Sequence, residues 1–443
     1  MQEAQLFEKL FDAPVEQKNT GQKVRASNAA RPLRICLLGY RSNPYGGGQG
    51  IYIKYLSKAL VNAGHSVDVI SGEPYPELDP RVNLIKMPGL NLYEKIPHHI
   101  TALRPHHFKS LADLVEWASM ASGGFSEPYA FGRRAVSYLK EHGDKYDLVH
   151  DNQSLCYGLL KLQKMGIPTV ATIHHPIQHD LKIALDAAPW WWNRLMIRRW
   201  HSFLRMQSNV VKRLKHIVTV SESSRGDIAQ AFKIAAEDIS LVYNGIDTEV
   251  FRPLPGVVRK PFRLMATASA DQPLKGLKYL IEAMADLVTR FPKIELLVIG
   301  RPRPGGYIER LIQRSNLQDR VIFKSGIDTE ELVRYYAECS IVVVPSLYEG
   351  FGLPAGEAMA CGTPIISTTG GALPEVVGDA GVLVPPADRH ALAQAIAVLF
   401  DSPAEREVLG IAARQRILEK FCWNVAARQM TAYYNQMLGL RKF

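Results

Sequence analysis

Between Val344 and Pro364 the chain reads Val-Pro-Ser-Leu-Tyr-Glu-Gly-Phe-Gly-Leu-Pro-Ala-Gly-Glu-Ala-Met-Ala-Cys-Gly-Thr-Pro, and this stretch restricts the fold more than any other. The β-branched run at 341–344 is short, continuous and closed by Pro345, the pattern of a strand buried on both faces. Gly350 and Gly352 then loosen the backbone, Pro354 suits a first helical turn, and Ala355 to Ala360 continue as helix formers. A strand that enters a helix through a glycine loop leaves amide N–H groups pointing outward, which makes a receptor for a diphosphate. Two carboxylates, Glu349 and Glu357, frame that loop. Beside a phosphate a carboxylate is useful as an acceptor for flanking hydroxyls, so the pair suggests a nucleotide sugar with its diphosphate between two polyols.

The same order of strand, glycine loop and helix recurs near the start, with a strand at 33–39, a loop at 41–50 holding Gly46, Gly47 and Gly48, and a helix at 51–63. Further apolar runs at 67–70, 82–87, 147–150, 169–173, 217–220, 262–268, 294–299 and 321–323 alternate with helical stretches. This alternation argues for parallel, doubly wound sheets with ligands at the carboxyl ends of the strands. With 443 residues and 47% hydrophobic content the chain can bury two cores. A proline-containing, basic run at about 250–262 reads as the linker between them. The five cysteines are scattered, with no Cys-x-x-Cys pair, so neither a disulfide framework nor a zinc cluster is expected and a reducing cytoplasm is the expected compartment. There is no apolar run of about 18 residues and no signal-peptide pattern, so neither a span nor secretion is expected.

The spacing Glu349-x7-Glu357 is that of retaining glycosyltransferases with the two-domain GT-B fold, and the run Glu-Gly-Phe-Gly-Leu-Pro-x-x-Glu-Ala-Met-Ala-Cys-Gly-Thr-Pro resembles the form in glycosyltransferase family 4. Asn244-Gly245-Ile246-Asp247 with Phe251 and Pro253 is similar to the interdomain stretch of that family, and the resemblance covers roughly residues 33 to 430. It implies an α/β fold of two Rossmann-like doubly wound domains facing a central cleft. The expected division is a leader at 1–31, either poorly ordered or a short helix, an acceptor-side domain at 32–252, a nucleotide-sugar domain at 253–422, and at 423–443 a helix that crosses back to the first domain. One last helix from about Pro403 is expected to carry Phe421 and Trp423.

The implied activity is transfer of a hexose from a UDP-sugar or GDP-sugar, with retention, to a lipid-linked or glycan acceptor, without metal or other cofactor. His174, with His175 as its close rival, would lie beside the donor sugar. Lys275 would neutralise the diphosphate as it departs. Glu349 would accept from the sugar and Glu357 from the ribose. Gly46, Gly47, Gly48, Gly350, Phe351, Gly352 and Leu353 would surround the donor phosphates, and the backbone at Gly326 and Ile327 would meet the nucleobase. Where the family has an arginine in a Gly-Arg-Leu run before the lysine, this chain has Ala268-Ser269-Ala270. Arg41, Arg301 or Arg303 could replace it. That departure leaves open a catalytically silent scaffold of the same fold, and a soluble polysaccharide-elongating synthase is a further alternative.

The formal net charge is +10, and much of the asymmetry lies between Ala187 and Ser221, where there is no acidic residue. Trp190, Trp191 and Trp192 precede Arg194 and Arg198 there, and helical spacing sets Arg194, Arg198, His201, Arg205 and Lys212 against Trp192, Leu195, Met196, Phe203, Val210 and Leu214. A basic amphipathic helix with tryptophans suits an anionic membrane surface, and a core helix with a solvated face is the alternative. The basic residues accompany no recognisable nucleic-acid module, so no nucleic-acid partner is expected.

Overall fold

The computed structural model describes residues 31–44, 48–92, 105, 110–186, 188–268 and 272–440. The leader up to residue 30, Gly46 and Gly47, and Ser269 and Ala270 lie outside them.

The apolar runs form two parallel sheets. In the first, β1 (Arg34–Gly39), β2 (Ser66–Ser71), β3 (Asn83–Lys86), β4 (Leu148–Asn152), β5 (Thr169–Ile173), β6 (Ile217–Thr219) and β7 (Ile239–Leu241) lie in the order β3-β2-β1-β4-β5-β6-β7. In the second, β8 (Lys260–Thr267), β9 (Glu295–Ile299), β10 (Val321–Lys324), β11 (Cys339–Val344), β12 (Ile365–Thr368) and β13 (Val382–Val384) lie in the order β10-β9-β8-β11-β12-β13. All of these pairings are parallel. The fold is α/β with two Rossmann-like units, as the sequence implies.

Strand order reverses between β1 and β4 in one sheet and between β8 and β11 in the other. Connections leave such a point in opposite directions and open a crevice at the carboxyl ends of the strands. Gln153 follows β4, the segment ending in Lys275 follows β8, and the loop at 345–352 follows β11, so both switch points contribute side chains to one place. Helices cover both faces of each sheet, which explains why β4, β5, β11 and β12 are buried along their whole length. Alternate residues of β1 enter opposite cores, Cys36 and Leu38 on one face and Ile35 and Leu37 on the other.

The expected single helix from Pro403 is two helices, Pro403–Lys420 and Trp423–Met437. Ala413 and Ile417 of the former pack against the second unit. Trp423, Ala426, Met430 and Tyr434 of the latter pack with Tyr52, Ile53 and Leu56 of the helix Gly48–Asn62 in the first. Burial of a side chain such as Met430 stabilises by roughly 1.5–3 kcal/mol. Phe421 and Cys422 form the joint, where the Ile246 amide donates to the Phe421 carbonyl at 2.6 Å. The break lets the chain leave one unit and dock on the other.

Two further expectations are corrected. The first-unit helix begins at Gly48 rather than Ile51, so Gly48 belongs to the helix and not to the loop. The basic helix is broken into Trp191–Trp200, a 3-10 turn at His201–Phe203, and Leu204–Val211. Trp200 stacks on Phe125 with ring centroids 5.3 Å apart, and Phe203 meets the same ring edge-on at 5.5 Å. Residues three apart eclipse in a 3-10 turn, which lets both rings reach Phe125. Val210 and Leu214 are buried as an apolar face requires, but Trp192, Leu195 and Met196 are exposed.

Candidate active site

Beyond β11 the chain passes Pro345 and enters the helix Leu353–Ala360 with Pro354 in its first turn. Gly352 has φ +92°, and a Cβ there would lie 2.7 Å from Leu373 Cδ2, so the turn requires glycine. Beyond β8 the chain makes a 3-10 turn, Pro273–Lys275, ended by Gly276. A Cβ on Gly276 would fall 1.8 Å from the Pro345 carbonyl oxygen. This close approach brings Lys275 to the glycine loop, with Nζ donating to Glu349 Oε1 at 2.7 Å, and Ser346 Oγ donates to the same oxygen at 2.8 Å.

A cavity of about 440 Å³ lies between the two units. Lys275, Glu349, Gly350, Phe351, Gly352, Leu353 and Glu357 line it from the second unit, and Gly48, His174 and His175 from the first. Those ten expected residues are therefore brought together. Gly326 and Ile327, in the loop after β10, are not among the lining residues, and neither are Trp190, Trp191, Trp192, Arg194 and Arg198. Arg41, Arg301 and Arg303 do not line the cavity either, and Arg41 Nη1 donates to Glu127 Oε2 at 2.9 Å. Sequence reasoning does not find the aromatic wall of Tyr52, Tyr55 and Trp423, because Trp423 arrives from the far end of the chain; it lies 5.9 Å from the Tyr55 ring, nearly parallel to it.

His174 follows β5 and is held from β4. Asn152 Nδ2 donates to the Gln49 carbonyl at 2.9 Å, which turns Asn152 Oδ1 toward His174 Nε2 at 2.7 Å. The proton therefore sits on Nε2, and Nδ1 is the acceptor of the ring. The ring lines the cavity and packs edge-on against Tyr52 at 4.7 Å. Burial, with His175 and His150 nearby, lowers its pKa to about 3, so it is neutral at physiological pH. His175 is more exposed, and its Nε2 lies 3.5 Å from Asp180 Oδ2.

Glu357 also lines the cavity. Tyr336, fully buried, donates its hydroxyl to Glu357 Oε2 at 3.1 Å. Burial pushes the carboxyl up to about 7 despite that bond, so the group titrates near neutrality.

The two units grip each other beside the cavity. Ser221 Oγ donates to the Gly350 carbonyl at 2.7 Å, and Ser224 Oγ lies 2.9 Å from the His174 carbonyl oxygen and 3.1 Å from that of Gly350. Glu375 of the second unit accepts from the amides of Glu222 and Ser223 at 2.7 and 2.8 Å, capping the helix Glu222–Phe232 of the first. Tyr348 donates to Asp227. Among the described residues no group of three or more His, Cys, Asp or Glu is arranged to hold a metal ion.

Two family models match the chain in succession, Glycosyltransferase Family 4 over residues 46–250 and Glycosyl transferases group 1 over residues 257–416. The MMP alpha-(1->4)-mannosyltransferase of Mycolicibacterium hassiacum is 44% identical over 412 residues, spanning 92% of this chain and 99% of that relative. D-inositol 3-phosphate glycosyltransferase 2 of Catenulispora acidiphila is 27% identical, spanning 92% and 96%. Among solved structures, sucrose-phosphate synthase from Thermosynechococcus elongatus superposes with a TM-score of 0.67 at 26% identity, covering 92% of this chain and all of that one.

Proposed function

The chain belongs to the family 4, group 1 glycosyltransferases, and on that premise we propose that it moves mannose from a nucleoside diphosphate to a hydroxyl of a glycan acceptor, with retention at the anomeric carbon. The observation that carries the reading is the meeting of Lys275, Glu349, Glu357 and His174 in one cavity at a helix start. Mannose is chosen on the strength of the 44% identity to a mannosyltransferase.

In this reading the diphosphate lies over the amides that open the helix Leu353–Ala360, with Lys275 beside it. Glu357 accepts from the ribose hydroxyls, and Glu349 accepts from the sugar through the oxygen not held by Lys275 and Ser346. Neutral His174 accepts a sugar hydroxyl at Nδ1. The bond between the anomeric carbon and the diphosphate oxygen breaks. The acceptor oxygen bonds to the same face of that carbon, and its proton passes to the departing diphosphate. The charge that develops on the diphosphate is met by Lys275 and the helix amides, and the reading assigns no metal or other cofactor. The five cysteines are free, which suits a reducing cytoplasm.

The test incubates purified protein with GDP-mannose, UDP-mannose or the matching glucose conjugates and a panel of oligosaccharides, and follows nucleoside diphosphate release and the new linkage by NMR. The reading expects release matched by a new α-glycoside. A β-glycoside would overturn retention, and transfer from a glucose conjugate in preference to mannose would overturn the choice of sugar.

A further inference from the structure

In the helix Trp191–Trp200 no residue is buried. Trp190, Trp191 and Trp192 are 63%, 76% and 53% exposed, and Leu195 and Met196 are 57% and 48% exposed. Yet the helix is anchored. Trp200 stacks on Phe125, Arg199 Nη2 donates to Ser122 Oγ at 2.6 Å, and Asn193 and Ile197 are partly covered. Met196 lies beside Gly123, and the tryptophans and Leu195 stay largely exposed. At about 100° per residue, Trp191 and Leu195 lie about 40° apart with Arg198 and Arg194 next to them on one side, and Trp192 and Met196 lie on the other side, beyond Arg199, which turns to Ser122. Arg194 and Arg198 are exposed. An exposed apolar patch beside positive charge marks an interaction site.

We propose that this helix docks the protein onto an anionic lipid surface. The tryptophans, Leu195 and Met196 enter the boundary between headgroups and acyl chains, and Arg194 and Arg198 pair with lipid phosphates. Charge selects this occupant. A second copy would bring the same patch against itself, and no acidic residue between Ala187 and Ser221 is present to neutralise the facing arginines. A neutral glycan would leave both arginines without a counter-charge. No described helix is long and apolar enough to cross a membrane, so the attachment is to the surface. The proposal does not rest on the sugar chemistry above, and its test reads binding alone.

The whole chain is sedimented with phosphatidylcholine vesicles, with and without phosphatidylglycerol, at low and high salt. Capture by the phosphatidylglycerol vesicles is expected, with a blue shift of tryptophan emission. The variant Trp190→Ala/Trp191→Ala/Trp192→Ala should be captured at least about tenfold less well, and high salt should weaken capture of the native chain. A second variant, Arg194→Glu/Arg198→Glu, keeps the apolar side chains and should lose the salt-sensitive part of binding. Absence of capture, or equal capture by neutral vesicles, overturns the proposal. So does a dimer in sedimentation velocity that the tryptophan variant dissolves, since a second copy would then cover this face.

Discussion

At the scale of single residues, Glu357 sets the expected pH behaviour. Its carboxyl is raised from 4.5 to about 7 because the charged form is buried. A raised carboxyl favours the folded state in its protonated form, so this contribution to stability is present below the ordinary value and is lost as pH rises through about 7. On the proposed reading donor binding runs the other way, because ribose hydroxyls donate best to an ionised acceptor. Affinity for an intact nucleotide sugar should therefore rise as pH climbs through about 7, and Glu357→Gln should flatten the profile; calorimetry across that window gives the answer. Tyr336→Phe removes the hydroxyl that orients this carboxylate. A hydrogen bond to a charged group contributes about 1.5 kcal/mol, so donor KM should rise about tenfold while kcat changes little. A fall in kcat at unchanged KM would assign Glu357 to the reacting centre instead.

At the scale of elements, the helix Glu222–Phe232 and the glycine loop act as a pair. Its start grips the Gly350 carbonyl through Ser221 and Ser224, and Glu375 caps it from the opposite unit. Loss of a cap of this kind costs about 1 kcal/mol. Glu375→Ala should lower kcat by roughly fivefold to tenfold and leave nucleotide affinity unchanged, because the cavity floor of the second unit stays intact. Equal losses in binding and turnover would show that Glu375 serves the fold of its own unit. The glycine loop, the Glu349 and Glu357 spacing and Lys275 are legible in the sequence because strand, turn and helix signals are local. The support of His174 is not, since its bond to Asn152 depends on β4 and β5 being neighbours, with Asn152 opposite Thr172. Glu375 likewise reads only as the start of a short helix, and its partners lie far back in the chain. The break at His201–Phe203 is hidden because Phe125, which both Trp200 and Phe203 meet, is remote in sequence.

At the scale of the whole molecule, two doubly wound sheets face each other at their switch points, and the helix Trp423–Met437 returns to brace the first. The Gly350 loop of one unit lies beside His174 of the other, so a ligand in the cavity would bind the folded chain and not the unfolded one. The most decisive measurement is thermal unfolding in the presence of GDP, UDP, ADP and their sugar conjugates. A ligand at a hundredfold excess over its dissociation constant stabilises by about 2.7 kcal/mol. One nucleotide series should raise the unfolding temperature, most strongly as the mannose conjugate, and Lys275→Ala should shrink the shift while the protein remains folded. If no nucleoside diphosphate or conjugate shifts the transition of the native chain, the cavity between the two units is not a nucleotide-sugar site.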